Sequence, residues 1–197
     1  MIQLPMFIMR HGKTLWNMEG KLQGRLNSPL LSDSLIIAKK IATFLCVNYK
    51  IEKVYCSPLL RCVETAHVVS RILETSFTEC NLLMECNMGL CEGMSWLTVS
   101  NQFPDFFNKR EEDKWRTAWP EGESYLDVFV RANTFLSEAP SDKCILVIGH
   151  EMINKCLVGS LLGWTQDQIM KVKQSNQELF IIQHDNMNLI RFCFDFI

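Results

Sequence analysis

An arginine and a histidine stand side by side near the N-terminus, where a short apolar run ends. The run covers residues 6–9, and Arg10, His11 and Gly12 follow it directly. A guanidinium offers a planar fork of donors that suits a phosphoryl group, and a neutral imidazole can attack phosphorus. These residues therefore favour two interpretations, a phosphate site at the end of a buried strand or an ordinary solvated turn.

Two later segments place the same kinds of residue after apolar runs. Arg61 follows a short run at 54–56, and His150 follows a longer one at 144–148. In open α/β sheets the chemistry lies beyond the carboxyl ends of the strands, where helix N-termini add partial positive charge. If the runs are neighbouring parallel strands, two histidines and two arginines converge on one anion site.

A phosphate site that cleaves an ester also needs a proton donor for the leaving oxygen, and a carboxyl group is the natural candidate. Glu85 and Glu92 both lie in the glycine-punctuated segment 83–93. Their spacing alone does not choose between them.

The same residue types allow a metal site, because His11, Glu85 and His150 make a set of two histidines and one carboxylate. Arg10 and Arg61 oppose this interpretation. Two fixed cations repel a divalent metal ion, whereas they stabilise a phosphate dianion. We therefore expect no metal.

The apolar periodicity predicts an alternation of strands and helices. Expected strands are 6–9, 54–56 and 144–148; expected helices are 34–49, 60–73, 124–136 and 152–162; a terminal hairpin is expected from 179–183 and 189–196. Turn residues predict a long loop over 13–32, and 81–122 is expected to be less regular, with a solvated charge run at 109–114. The alternation predicts one domain over residues 1–197, an α/β fold of three α/β/α layers around a mostly parallel central sheet.

Composition limits the partners and the compartment. Twenty Lys and Arg stand against 22 Asp and Glu, a net charge of −2, so no global positive field recruits nucleic acid or an anionic membrane. Nine cysteines, an odd number without paired C-x-x-C spacing, predict reduced thiols in a cytoplasmic protein. No signal peptide or membrane span is expected. The oligomeric state is left open, with a homodimer as one option.

Five segments, in this order, resemble the signatures of the histidine phosphatase superfamily, which includes the cofactor-dependent phosphoglycerate mutases. They are 10–30, 57–66, 84–93, 120–124 and the pair Gly149 and His150. Each segment alone is a weak signal, but their order makes the resemblance specific. It implies a phosphoglycerate mutase-like fold.

The resemblance also implies roles for the residues singled out above. His11 would be the nucleophile that becomes phosphohistidine, and Arg10, Arg61 and His150 would hold the phosphoryl oxygens. His150 would act among those oxygens as a cationic donor. Glu85 would protonate the leaving oxygen and then activate water, and no cofactor is implied.

Further family positions are expected to contact phosphate or substrate, namely Asn17, Gln23 and Gly24. Glu92 is expected to be structural. The remaining candidates favour packing or surface roles, and these are His67, His184, Cys86, Cys91, Trp115 and Trp119.

Glu151 departs from the family pattern, because many members have a small residue after the late histidine. Its carboxylate would either point into the pocket and disfavour highly anionic substrates, or cap its helix. The second interpretation is preferred, since a carboxylate is favourable near a helix N-terminus.

The predicted function is that of a metal-independent phosphomonoesterase, a histidine acid phosphatase-like hydrolase of a small phosphorylated metabolite. Mutases usually carry extra sequence before the late histidine and a C-terminal tail that shields the phosphoenzyme, whereas a strand is predicted here at 189–196. Phosphatase is therefore favoured over phosphoglycerate mutase-type transfer. The other alternative is a catalytically silent, phosphate-binding regulatory module.

Overall fold

The computed structural model describes residues 5–183 and 188–195. Within them the chain forms six strands, eight α-helices and two short 3-10 helices at Asn81–Leu83 and Gly89–Cys91. The strands are β1 (Met6–Arg10), β2 (Lys53–Cys56), β3 (Phe77–Glu79), β4 (Ile145–Gly149), β5 (Glu178–Gln183) and β6 (Asn188–Cys193). The helices are α1 (Leu15–Glu19), α2 (Ser34–Asn48), α3 (Leu60–Leu73), α4 (Trp96–Gln102), α5 (Pro104–Glu112), α6 (Tyr125–Glu138), α7 (Glu151–Leu161) and α8 (Gln166–Lys171).

The six strands form one mixed sheet in the order β3-β2-β4-β1-β5-β6. The first four strands are parallel to one another, β5 is antiparallel to β1, and β6 is antiparallel to β5. In the register Arg10 pairs with Gly149, and Cys56 pairs with Ile148. The carboxyl ends of β1, β4 and β2 therefore lie side by side at one edge of the sheet, as the sequence predicted.

Helices cover both faces of the sheet and give the predicted three layers. On one face α2 and α3 pack over a cluster that includes Phe7, Leu146 and Ile148, and on the other α6 and α7 pack over one that includes Ile8 and Val147. Alternate residues of β1 and β4 serve the two faces, so both strands are apolar throughout. Polar residues come at the carboxyl ends of these two strands, where Arg10 ends β1 and His150 follows β4.

The predicted loop over 13–32 is wrong in one place, because it contains the helix α1. The Thr14 side chain accepts a hydrogen bond from the Asn17 backbone, and the Asn17 side chain accepts one from the Thr14 backbone. This capping box supports a five-residue helix without any buried residue. A helix that buries nothing leaves no apolar periodicity in the sequence. The strand β3 and the helix α8, three and six residues long, were missed because they are short.

The two strands of the terminal hairpin are confirmed as β5 and β6, and β6 ends at Cys193. The expected centre of the hairpin around Asn186, His184 and the last residue of the expected second strand, Phe196, lie outside the described part of the chain. Among the described residues, no helix combines the length and the apolar character needed to cross a membrane.

Candidate active site

The loops that follow β1, β2 and β4 bring the predicted site residues together. His11 follows β1, Arg61 lies in the first turn of α3 just after β2, and His150 follows β4. The ring centroids of His11 and His150 are 5.1 Å apart, and Nε of Arg61 lies 3.2 Å from Nδ1 of His150. The convergence predicted from three separate segments is therefore present.

His11 is 2% exposed, and one hydrogen bond fixes its tautomer. Nδ1 lies 2.7 Å from the carbonyl oxygen of Gly12. A carbonyl only accepts, so Nδ1 carries the proton and Nε2 keeps its lone pair. Burial, followed by the positive charges of Arg61 and Arg10, lowers the pKa of His11 well below 6.5. The ring is thus a neutral imidazole with a free Nε2, the form that a nucleophile needs.

His150 is completely buried and also neutral, but its ring has the opposite tautomer. Nε of Arg61 donates to its Nδ1, so the proton of the neutral ring lies on Nε2. Burial, followed by the positive charge of Arg61, lowers the pKa of His150 well below 6.5. The protein's own field favours the neutral ring, and the predicted cationic form would require the negative charge of a bound phosphoryl group.

The two arginines are held in different ways. Arg61 is 2% exposed, and its Nη1 and Nη2 donate to the carbonyl oxygens of Leu26 and Gly24. Nη1 also donates to the Gln23 amide oxygen at 3.3 Å, so with the bond to His150 four of the five N–H groups are used and one, on Nη2, is left for a ligand. Arg10 is half-buried, and its Nη1 donates to the Glu151 carboxylate and to the Gln174 carbonyl, both at 3.0 Å.

Glu85 lies in the loop between the two 3-10 helices, and its side chain reaches the start of α7. Its Oε1 accepts from the Cys86 backbone at 2.9 Å, and its Oε2 accepts from the Met152 backbone at 3.3 Å. Glu85 is 8% exposed and lines the same cavity as His11. A carboxyl group in this position can exchange a proton with a group bound in the cavity.

An ion pair behind Glu85 fixes its loop. Arg131 on α6 pairs with Glu123 at 3.1 Å and donates through Nη1 to the carbonyl oxygens of Leu82 and Met84. The Glu123 carboxylate also accepts from the Asn87 backbone at 2.8 Å. Arg131 was not anticipated from the sequence, because a single arginine on a helix gives no signal of the distant carbonyl groups that it binds.

Glu92 does not line the cavity and instead joins two loops. Its Oε1 accepts from the backbone N–H groups of Arg25 and Met88, at 2.8 and 3.1 Å. Gly24 lies against it with φ of 51°, and a Cβ there would come within 2.1 Å of this oxygen. The structural position expected for Glu92 is therefore confirmed, and Gly24 leaves room for its carboxylate.

Asn17, Gln23 and Gly24, for which contacts to phosphate or substrate are predicted, all line the cavity. The amide of Gln23 is hydrogen-bonded to the Thr14 hydroxyl at 3.0 Å. Asn17 takes part in the capping box of α1, so the short helix holds its side chain at the cavity.

The cavity has a volume of about 570 Å³ and is strongly basic. Six cations line it, namely Arg10, Lys21, Arg61, Lys114, Lys155 and Lys173. Two carboxylates, Glu85 and Glu151, oppose them. The four lysines were not predicted from the sequence, although the spacing of four residues between Glu151 and Lys155 places both on one face of a helix. The chain has a net charge of −2, so the positive charge is local to the cavity.

The charge run at 109–114 is not only a solvated face, because Arg110 is 4% exposed. Its guanidinium lies 4.6 Å from the ring centroids of Trp119 and Tyr125, and its Nη2 donates to the Tyr125 hydroxyl at 2.5 Å. Burial raises the pKa of Tyr125 to about 12. The aromatic rings account for a buried arginine that polarity alone would place at the surface, and Tyr125 itself lines the cavity.

Most of the residues expected to be structural are confirmed as such. Trp115 and Trp119 belong to the core, and Cys86 and Cys91 are buried free thiols. His67 is exposed on α3 and packs against Phe77. In the described ranges, no cluster of three or more His, Cys, Asp or Glu side chains is arranged to hold a metal ion.

The preferred interpretation of Glu151 as a helix cap is wrong. His150 occupies the N-cap position of α7, and Glu151 lies in the first turn with its side chain in the cavity. Its Oε2 accepts from Arg10, and its Oε1 lies 3.7 Å from Nζ of Lys155. Two side-chain cations outweigh the backbone amides as partners for this carboxylate.

The family model described as histidine phosphatase superfamily (branch 1) matches residues 6–190. Human 6-phosphofructo-2-kinase/fructose-2,6-bisphosphatase 4 is 30% identical over 169 residues, which are 85% of this chain and 34% of that protein. The Arabidopsis thaliana 6-phosphofructo-2-kinase/fructose-2,6-bisphosphatase is 33% identical over 184 residues, 91% of this chain and 24% of that protein. The chain thus spans about a third or less of the length of these relatives.

Solved structures share the fold over nearly the whole chain. The alpha-ribazole phosphatase from Shigella flexneri superposes with a TM-score of 0.84 at 19% identity, covering 96% of this chain and 95% of that one. A mycobacterial glucosyl-3-phosphoglycerate phosphatase gives a TM-score of 0.77 at 19% identity, with 90% and 89% covered. At this level of identity the likeness establishes the α/β fold and the arrangement of its layers.

Proposed function

The chain belongs to the histidine phosphatase superfamily, branch 1, and from this premise we propose that it is a metal-independent phosphomonoesterase that works through a phosphohistidine on His11. The observation that carries the proposal is the tautomer of His11. Its Nδ1 is occupied by the Gly12 carbonyl oxygen, so the lone pair of Nε2 is free in a cavity lined by Arg10 and Arg61. The family and the curated relatives support phosphatase activity.

In the first step Nε2 of His11 attacks phosphorus, and the bond from phosphorus to the ester oxygen breaks. Glu85 gives its proton to the departing oxygen, so the product leaves as an alcohol. Arg10 and the remaining N–H group of Arg61 stabilise the charge on the phosphoryl oxygens. His150 does not line the cavity, and its Nε2 lies 3.4 Å from the buried Cys62 sulfur, so it acts by accepting from Arg61 through Nδ1 and holding that guanidinium in place. The proposal thus gives a role to each of the five predicted catalytic residues.

In the second step water attacks the phosphohistidine. Glu85 is now a carboxylate and takes the proton from that water, the bond from phosphorus to Nε2 breaks, and inorganic phosphate is released. The lone pair of Nε2 and the protonated Glu85 are both restored. One carboxyl group therefore serves as acid and then as base.

Positive charge from side chains replaces a metal ion in this scheme. The Arg10 and Arg61 guanidiniums lie where a divalent cation would be repelled. Arg61 also donates to Nδ1 of His150, which removes that nitrogen as a metal ligand. We therefore expect full activity in the presence of a chelator.

The cavity further favours a substrate with a second anionic group. Lys21 and Lys114 are paired only with exposed carboxylates, and Lys173 forms no ion pair with any described residue. Such surface pairs contribute little, so all three ammonium groups are available to a ligand. The names of the curated relatives include fructose-2,6-bisphosphatase, an activity on a substrate with two phosphates.

Phosphate release from an aryl phosphate, and from a panel of sugar mono- and bisphosphates, tests this function in the presence of a chelator. We expect hydrolysis of all classes and the highest kcat/KM for compounds with a second anion. His11→Ala should abolish release. Sustained release by that variant would refute the mechanism. Transfer without net release would indicate phosphoglycerate mutase-type chemistry, and binding without turnover would indicate a silent module.

A further inference from the structure

The carboxylate of Glu151 lies inside the cavity, against one of the cations assigned to phosphate. Nη1 of Arg10 donates to its Oε2 at 3.0 Å, and Nζ of Lys155 lies 3.7 Å from its Oε1. Nε of Arg10 is buried without a hydrogen-bond partner, so a phosphoryl group bound there or at Nη2 would lie beside this carboxylate and share the charge of one guanidinium with it. The two anions compete for one partner.

Three positive features hold Glu151 in this place. Arg10 and Lys155 are the first two, and the third is the N-terminus of α7, since Glu151 lies in its first turn. Lys155 is only 8% exposed, and its ammonium group lines the cavity. The carboxylate therefore neutralises cations that would otherwise be buried beside one another.

We propose that Glu151 is a resident counter-ion that competes with phosphate for Arg10 and sets how tightly the cavity holds a phosphoryl group. The inference rests on the proposed function, because it assigns phosphate binding to Arg10. A phosphoryl dianion carries more charge than the carboxylate and also reaches Arg61, so it displaces Glu151 from Arg10. Substrate and product are both held less tightly, and release of inorganic phosphate is faster.

The second partner of Arg10 keeps its guanidinium in place when Glu151 moves. Nη1 of Arg10 also donates to the carbonyl oxygen of Gln174. The Gln174 side chain is buried, donates to the Ile8 carbonyl at 3.0 Å and accepts from Asn154 at 2.8 Å. Because this network does not include Glu151, replacing that residue changes a charge in the cavity without removing the support of Arg10.

The test is the affinity for inorganic phosphate, measured by titration calorimetry on the wild type and on Glu151→Gln. Glutamine keeps the length and one acceptor oxygen but removes the charge. We expect the Kd of phosphate and the KM of an aryl phosphate to fall together by about tenfold, as the loss of one nearby like charge predicts, with no rise in kcat. Glu19→Gln is the matched control, since Glu19 pairs with cavity-lining Lys21 at 2.8 Å and does not contact Arg10.

Each other outcome overturns the inference in a distinct way. Unchanged or weaker phosphate affinity in Glu151→Gln, with normal wild-type hydrolysis, would mean that Glu151 is neutral or is a ligand of the substrate. An equal gain in Glu19→Gln would point to the general field of the cavity rather than to the contact with Arg10. A wild type that neither binds phosphate nor hydrolyses esters would refute the proposed function itself, and the inference with it.

Discussion

The backbone N–H of Gly12 donates to Oγ1 of Thr65 at 2.9 Å, and this one hydrogen bond joins the loop that carries His11 to the helix that carries Arg61. The same hydroxyl donates to the Arg61 carbonyl oxygen at 2.7 Å. Thr65 is fully buried, so no water replaces either bond. The relative position of nucleophile and guanidinium therefore depends on a hydroxyl group outside the cavity.

Thr65→Val should separate this positioning effect from packing. Valine has nearly the same shape but leaves the Gly12 N–H buried without a partner, which costs about 1–3 kcal/mol. We expect denaturant unfolding to show this loss, together with a lower kcat. Thr65→Ser, which keeps the hydroxyl, should recover most of the kcat; if it does not, the methyl group rather than the hydrogen bond is responsible.

Arg131 should matter to catalysis although it lies behind the acid loop. In Arg131→Ala the carbonyl groups of Leu82 and Met84 lose their shared donor, while Glu123 keeps its ion pair with Arg25, so the expected cost is about 1–3 kcal/mol for the unpaired carbonyl groups. The loop of Glu85 then loosens, so kcat should fall more than KM changes. Arg116, an exposed residue paired with Asp113, offers the control Arg116→Ala. Equal effects of the two substitutions would contradict a role of Arg131 in holding the loop.

The two buried histidines should make the protein less stable in acid. Both pKa values lie well below 6.5, the ordinary value that applies in the unfolded chain. Above pH 6.5 neither the folded nor the unfolded protein binds a proton on these two rings, so the rings do not lower the free energy of unfolding. As the pH falls below 6.5 the unfolded chain gains protons that the folded protein does not, so the free energy of unfolding decreases by up to about 1.4 kcal/mol per pH unit for each ring.

Unfolding free energies measured between about pH 7.5 and 5 check this sign. His11→Asn should give a shallower decrease than the wild type. His67→Asn, which removes an exposed ring on α3, is the matched control and should keep the wild-type slope. A stability that rises toward pH 5 would show that the buried rings are cationic in the folded protein.

The lysines of the cavity should act on substrate choice. Lys114→Met and Lys173→Met are each expected to lower kcat/KM for a sugar bisphosphate by about tenfold while changing that for a simple aryl phosphate by less than about twofold. Lys109→Met removes a charge from α5 that does not line the cavity and serves as the control. Equal losses on both substrates would mean that these lysines do not recognise a second anion.

The sequence predicted the elements that bury a regular apolar face, and for a physical reason. The helix over Leu60–Leu73 was predicted with its observed bounds, because one of its faces is packed against the core. The helix α1 was missed because it buries nothing, and Arg110 was misplaced because its aromatic partners Trp119 and Tyr125 follow it by nine and fifteen residues. Local patterns report burial, not partners that are brought together by the fold.

The residues of the site divide in the same way, into those that a local sequence pattern marks and those whose partners are brought together by the fold. His11, Arg61 and His150 could be grouped in advance because each follows an apolar run, and parallel strands place such positions together. Glu151 was assigned to a cap because its chain position allowed it, whereas Arg10, 141 residues away, decides where its carboxylate lies. The lysines of the cavity come from four separate segments, and only Lys155, four residues after Glu151, is marked by its local sequence.

The central claim, that Nε2 of His11 accepts the phosphoryl group, is tested most directly by trapping the intermediate. The protein is mixed with a substrate that carries a labelled phosphate, quenched within one turnover under alkaline conditions and digested, and the labelled peptide is identified by mass spectrometry and phosphorus NMR. The account predicts one phosphoryl group on the peptide that contains His11, attached to Nε2, and none in His11→Asn. Label on another residue, on Nδ1 of His11, or retained in the His11→Asn variant would contradict it.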